Sequence, residues 1–290
     1  MVQEEIAGAA LMAIPIIKDW KIYFSQPDEG LGSSYERIVL NNKIQQICKY
    51  FEVEKILEAP NFGFTGLSGI NSMQLGVDGK DVTIMDHEEE RLNLIHKVWQ
   101  NLNIPLQTEL SKDYNNLPFD DNSFDFSWNF SALWFTEDLT KFLTELTRVT
   151  SKAILLCVPN RSGIGYLSQK YLGKDDLKKY LKEEHILPKN IKNKMKELDW
   201  SLIDSKFIDC PPWPDIGMPK EKFLRIFGLQ WLLKEEKNKD PLTILDYYSD
   251  KNPDFASEMM EYFWLEKKLP EFLKKFWAHH RYFLFIPNKR

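Results

Sequence analysis

Between Lys55 and Asn160, short apolar runs alternate with amphipathic helical faces, and two of the runs end in an acid. KILE (Lys55 to Glu58) leads into a glycine-bearing loop, APNFGFTGLSG (Ala59 to Gly69). VTIMD (Val82 to Asp86) ends in an aspartate, and AILLCVPN (Ala153 to Asn160) closes the series. Leu92, Ile95, Val98 or Trp99, and Leu102 recur at helical spacing after the second run. Leu139, Phe142, Leu143, Leu146 and Val149 do the same before the third. Strands separated by helices of this length require a parallel sheet with crossover connections. Such sheets bind ligands beyond the carboxyl ends of their strands, where strand order reverses. Glu58 and the loop after it fall there.

The flanks are helical in pattern. Ile38, Leu40, Ile44, Ile47 and Phe51 mark one helix face, so residues 1–50 are expected to form an N-terminal helical cap. Residues 51–290 then form one α/β domain with helical insertions at about 161–189 and 218–277. Ile6 to Ile17 is apolar, but Glu4 and Glu5 stand where a signal peptide would carry positive charge. The run is also shorter than the roughly 20 residues that cross a bilayer, so it is expected to pack on the body. An amphipathic helix is expected around Ile191 to Leu198, and a strand near Leu202 to Cys210. The prolines of PPWPDIGMP (Pro211 to Pro219) exclude regular structure there. RYFLFIPN (Arg281 to Asn288) suits a final strand.

A formal charge of −5 supplies no general drive toward nucleic acid, whose binding rests on Lys and Arg neutralising phosphates. Cys48, Cys157 and Cys210 are too far apart for metal-ligand spacing or a disulfide framework, which fits a reducing cytoplasm. His185, His279 and His280 are scattered, so no metal site is expected. His279 or His280 could act as a general base or be an ordinary hydrogen-bonded histidine.

The strand-end acids, the glycine loop and the phrase SKDYNNLPFDDNSFDF (Ser111 to Phe126) together resemble class I S-adenosylmethionine-dependent methyltransferases. The resemblance covers residues 50 to 160, and more loosely 190 to 210 and 281 to 288. It implies a Rossmann-like, seven-stranded, mostly parallel sheet whose last strand, Arg281 to Pro287, runs antiparallel. It implies S-adenosylmethionine as cofactor, held around Glu58, Pro60, Gly63, Gly66, Asp86, His87, Asp113, Tyr114 and Asn129. Asp86 would accept from the ribose hydroxyls, or cap the helix that follows. His87 reads from the sequence as a surface residue at the start of that helix. Asp113 would accept from the adenine amino group, with Tyr114 beside the ring. Trp134, Asn160, Trp213 and His279 would border the acceptor, although Trp134 fits a helix core equally well. Pro60 and Phe62 stand where glycines are expected, so the loop either keeps its shape through Gly63 and Gly66 or is closed or remodelled.

NFSALW (Asn129 to Trp134) lacks the Pro-Pro-aromatic signature of nucleobase-amine methyltransferases. VPN (Val158 to Asn160) resembles the strand end of methyltransferases acting on small molecules and lipids. The implied function is methyl transfer to a small, hydrophobic or lipid-like acceptor. The alternative is an inactive methyltransferase-like binding or assembly subunit with a protein partner. A nicotinamide-dependent oxidoreductase is disfavoured, because no Gly-x-Gly-x-x-Gly is present to take a pyrophosphate.

Overall fold

The computed structural model describes residues 20–25, 30–62, 66–172, 182–210, 244–249, 251–252, 254–261 and 263–288. In chain order the elements begin with α1 (Ile22–Ser25), α2 (Gly30–Tyr50), β1 (Lys55–Glu58), α3 (Met73–Val77) and β2 (Asp81–Asp86). Next come α4 (Glu89–Asn101), β3 (Gln107–Leu110), β4 (Phe124–Phe130), α5 (Leu139–Val149) and β5 (Thr150–Pro159). Then follow α6 (Ile164–Leu172), α7 (Pro188–Glu197), β6 (Trp200–Asp204) and β7 (Phe207–Ile208). The described chain finishes with α8 (Ile244–Tyr248), α9 (Phe255–Met260), α10 (Phe263–Lys268), α11 (Glu271–Trp277) and β8 (His280–Pro287).

The sheet runs β3-β2-β1-β4-β5-β8-β6, a path of seven strands, with the two-residue β7 paired to β8 alongside. β1 to β5 are mutually parallel. β8 is antiparallel to β5, β6 and β7, the direction that the family resemblance implies for the last strand. The expected strand near Leu202 to Cys210 starts earlier, at Trp200, and divides into β6 and β7. β3, QTEL, carries no apolar run and is an added edge strand.

Helices cover both faces. Ile38, Leu40 and Ile44 of α2 and Leu92, Ile95 and Trp99 of α4 pack in one buried cluster with Ile56, Ile84 and Phe126 of the sheet. Phe142, Leu143 and Leu146 of α5 and Ile191 and Met195 of α7 pack in the other, with Leu57, Met85 and Leu156. Along β1, β2, β5 and β8 the residues of the two clusters alternate, as the pleat demands. Each fully buried Leu, Ile or Phe contributes roughly 1.5–3 kcal/mol. α5 shows local determination well: Asp138 accepts from Thr140 N at 2.8 Å and Lys141 N at 3.1 Å, capping a helix with a continuous buried stripe. The apolar run Ile6 to Ile17 and the segment Pro211 to Pro219 lie outside the described residues. Among the described residues no helix is long and apolar enough to cross a membrane.

This topology fixes where chemistry can occur. From β1 the chain crosses to β2 on one side, while β4 pairs on the other, so strand order reverses between β1 and β4. Glu58 is aligned with Ile84 of β2 and Trp128 of β4, which brings the ends of all three strands to one edge.

Candidate functional site

Glu58 ends β1 fully buried. Its Oε2 accepts from Ser72 Oγ at 2.6 Å, and Ser72 Oγ accepts in turn from Trp128 Nε1 at 3.0 Å. Glu58 Oε1 has no hydrogen-bond partner. Burial pushes this carboxyl up to about 7, against the pull of Ser72, Arg37 and Asn71.

The loop after β1 is stitched to both neighbouring strands. Ala59 N donates to Trp128 O at 3.0 Å and Asn61 N to Met85 O at 3.1 Å. Pro60 follows a cis peptide bond. The backbone turns at Gly66, φ 122°, and Gly69, φ 76°, while Gly63 lies outside the described residues. A Cβ on Gly69 would lie 2.5 Å from the Ile95 side chain, so the loop approaches α4 as closely as only glycine allows. Asn129, fully buried at the end of β4, donates from Nδ2 to Ala59 O at 3.3 Å. Its Oδ1 has no partner, and the same holds for Asn61 Oδ1 and Ser131 Oγ.

Asp86 ends β2 with no exposed surface, and its carboxylate is fully engaged. Arg91 grips it with two nitrogens, Nε to Oδ2 at 2.7 Å and Nη2 to Oδ1 at 2.5 Å. Asn61 Nδ2 donates to Oδ2 at 2.9 Å and Glu88 N to Oδ1 at 3.0 Å. Glu88, not Asp86, occupies the N-cap position of α4. The Arg91 guanidinium lies between two rings, 5.1 Å from Trp20 and 5.6 Å from Phe62. Charge-assisted, bidentate pairs of this kind are the strong ones.

Phe62 heads an aromatic group over this edge. Its ring is 4.4 Å from His87, 6.0 Å from Tyr114 and 5.2 Å from Phe135. His87, expected at the surface, keeps 41% of its side chain exposed and also joins this ring group. Desolvation lowers its pKa, with Asp86 opposing, so the imidazole is neutral near pH 7. Burial raises the Tyr114 phenol. Asp113 is exposed and accepts from Asn115 N at 2.8 Å within its own turn.

On the acceptor side, Trp134 is fully enclosed, donates from Nε1 to Ser131 O at 2.7 Å and stacks with Tyr166. Asn160 Nδ2 reaches Lys275 O and Ala278 O, both at 2.8 Å, tying the end of β5 to the entry of β8. His279 Nδ1 lies 2.7 Å from Asp209 Oδ2. Trp213 lies outside the described residues. Sequence reasoning missed Arg91, Asn61 and Ser72. An arginine one helical turn past a strand-end acid was the available signal for the first. It also treated the histidines as scattered, whereas the fold gathers His279 and His280 around Asp209.

Comparison with known proteins agrees with this architecture. The family model described as a methyltransferase domain matches residues 64–157. No curated protein sequence matches the chain. Among solved structures, the 4+2 cyclase SpnF is 12% identical, with 86% of this chain and 81% of that chain covered at a TM-score of 0.50. A candidate sarcosine dimethylglycine methyltransferase from Galdieria sulphuraria is 13% identical, covering 86% and 85% at 0.50. The complex of the Haloferax volcanii Trm112 methyltransferase activator with a candidate methyltransferase is 11% identical, covering 94% and 100% at 0.50. At these identities the likeness is one of fold, and the cyclase among them shows that this fold hosts more than one reaction.

Proposed function

We propose that this chain, whose residues 64–157 match a family model described as a methyltransferase domain, transfers a methyl group from S-adenosylmethionine to a small or hydrophobic acceptor. The observation that carries the reading is a set of buried oxygens without hydrogen-bond partners at the β1–β4 edge: Glu58 Oε1, Asn61 Oδ1 and Asn129 Oδ1. Buried acceptors are normally satisfied. The amino group of the cofactor's methionine end, a pure donor when charged, is the complement of this set. Asp86 would receive the ribose hydroxyls, which requires Arg91 to release at least one of its two hydrogen bonds.

The cofactor supplies an electrophilic methyl group on a sulfonium. Glu58, Asn61 and Asn129 hold its charged end, Asp86 orders the ribose, and the rings of Phe62, His87, Tyr114 and Phe135 keep water from the edge. In-line positioning supplies much of the acceleration when the acceptor is already nucleophilic, so the reading needs no dedicated base. The proposed compartment is the cytoplasm, in keeping with three buried, free cysteines.

A second reading, an inactive subunit that binds a protein partner, is favoured by one feature: Arg91 occupies the carboxylate that the ribose needs. Calorimetric titration with S-adenosylhomocysteine separates the two. Micromolar binding by the wild type, strengthened in Arg91→Ala and lost in Asp86→Ala, is expected for the enzyme. No heat of binding at millimolar ligand, from either the wild type or Arg91→Ala, would sink the enzyme reading in favour of the subunit.

A further inference from the structure

Away from the β1–β4–β2 edge, a second group of ionisable side chains is enclosed where α2, the end of β7 and the start of β8 meet. Glu36 lies in α2, Asp209 directly follows β7, and His280 opens β8, aligned with Pro159 at the end of β5. Their residual exposures are 8%, 2% and 3%. One ligating atom from each lies within 4.8 Å of the other two. His280 Nδ1 is 2.5 Å from Glu36 Oε1 and 4.0 Å from Asp209 Oδ2.

His280 Nδ1 and Glu36 Oε1 are close enough to pair with each other. Beyond that pair, Asp209 Oδ1 and His280 Nε2 have no hydrogen-bond partner. Two such atoms in one enclosed group are not what a self-sufficient polar network shows.

The surroundings sharpen the imbalance. A third carboxylate, Glu266, is already satisfied: it accepts from Tyr35 Oη at 2.7 Å, Asp209 N at 3.2 Å and Cys210 N at 3.0 Å. His279 Nδ1 holds Asp209 Oδ2, and the Phe130 ring covers His280 at 4.3 Å. Glu36 and Asp209 bring two carboxyl groups into one enclosure, and a buried charge left uncompensated costs several kcal/mol. A divalent cation would neutralise both charges and engage the unpartnered atoms together.

We propose that Glu36, Asp209 and His280 form a divalent-cation site of the zinc or manganese class, with His279 as the outer partner that orients Asp209. The imidazole argues against magnesium and calcium, which prefer all-oxygen sets. Mixed nitrogen and carboxylate donors suit zinc and its neighbours, with bonds near 2.0–2.2 Å. Three protein donors leave a coordination position for water or a ligand oxygen. A metal-binding carboxylate held by a second hydrogen bond is the usual outer-sphere arrangement, and His279 supplies it here. The proposal stands independently of the cofactor reading, because its residues belong to α2 and to the β7–β8 side of the sheet, not to the ends of β1 and β2.

The test uses the full chain, stripped with chelator and titrated calorimetrically with zinc chloride and manganese chloride. One saturable site per chain is expected, weakened at least about tenfold in Asp209→Asn and in His280→Gln. Magnesium chloride is expected to give no saturable heat. No stoichiometric binding of zinc or manganese, or binding unchanged in both variants, would overturn the proposal and leave protons as the compensating charge. Should the variants fail to fold by circular dichroism, cobalt titration of the wild type decides. Saturable visible absorption of nitrogen and oxygen ligation supports the site. Absence of absorption, or a thiolate charge-transfer band implicating Cys210, overturns it.

Discussion

Burial pushes the Glu58 carboxyl up to about 7, from 4.5 for a free glutamate, so its proton leaves within the working range of most assays. Because the folded chain holds that proton more tightly than the unfolded chain, the associated stability is fully present below about pH 4.5 and is lost as pH rises through about 7. Glu58→Gln removes the titration. The unfolding free energy of the wild type should therefore fall more steeply between pH 5 and 8.5 than that of the variant, by on the order of 3 kcal/mol. Ligand binding should run the other way: an ammonium group prefers the ionised acid, so S-adenosylhomocysteine should bind the wild type more tightly at pH 8 than at pH 6. Parallel stability curves for the two proteins would refute the assignment. The placing of Glu58 and Asp86 at strand ends was legible in the sequence because each closes an apolar run. Arg91 was not: EEERL reads as a helix start, and only the folded chain shows that its guanidinium turns back over the strand end.

Elements with an apolar face were readable from periodicity, and those without one were not. β1, β2, β5 and β8 carry buried runs. β3 shows the pattern exposed, exposed, half-buried, exposed, which no hydrophobic signal marks. Its strand character comes from pairing with β2, a tertiary effect. The packing of α4 against the loop before α3 yields a sharp expectation. Gly69→Ala places a methyl group 2.5 Å from Ile95, at φ 76° where a side chain is strained. Strain and overpacking together should cost about 2–4 kcal/mol in urea unfolding. Ile95→Ala in the same chain should return part of that loss, because it removes Cδ1, Cγ1 and Cγ2, the three atoms that contest the space. A cost below about 0.5 kcal/mol, or strict additivity of the two changes, would mean that the loop is not pinned by this contact.

For the molecule as a whole, α2 acts as a spine. Arg37 donates to Asn71 Oδ1 and to Leu67 O at 3.1 Å, Asn41 to Tyr248 Oη at 2.8 Å, and Lys43 to Asp204 at 2.7 Å. One helix thus joins the glycine loop, the late helices and the far side of the sheet. Arg37→Met keeps the stem but strands the buried acceptors of Asn71 and Leu67, and should cost about 2–3 kcal/mol. Because Asn71 and Ser72 flank Glu58, the same change should weaken S-adenosylhomocysteine binding, whereas cation binding at Asp209 should persist. Loss of stability with unchanged ligand affinity would confine Arg37 to scaffolding. These long-range ties could not be read from the sequence, since Glu36 and His280 come from opposite ends of it and neither local spacing nor composition links them.

The place of β8 between β5 and β6 also has a meaning in time. While the ribosome is still delivering residues before His280, β5 stands with one edge unpaired and β6 has no neighbour to bind. Glu36 and Asp209, already synthesised, wait without their histidine. The half of the sheet from β3 to β4 can assemble early, and its strand-end acids with it. Completion of the other half must follow emergence of one of the last strands, so a nascent chain passes through a stage with an exposed apolar strand edge. That edge of β5 stays open through the interval between the appearance of β6 and that of β8.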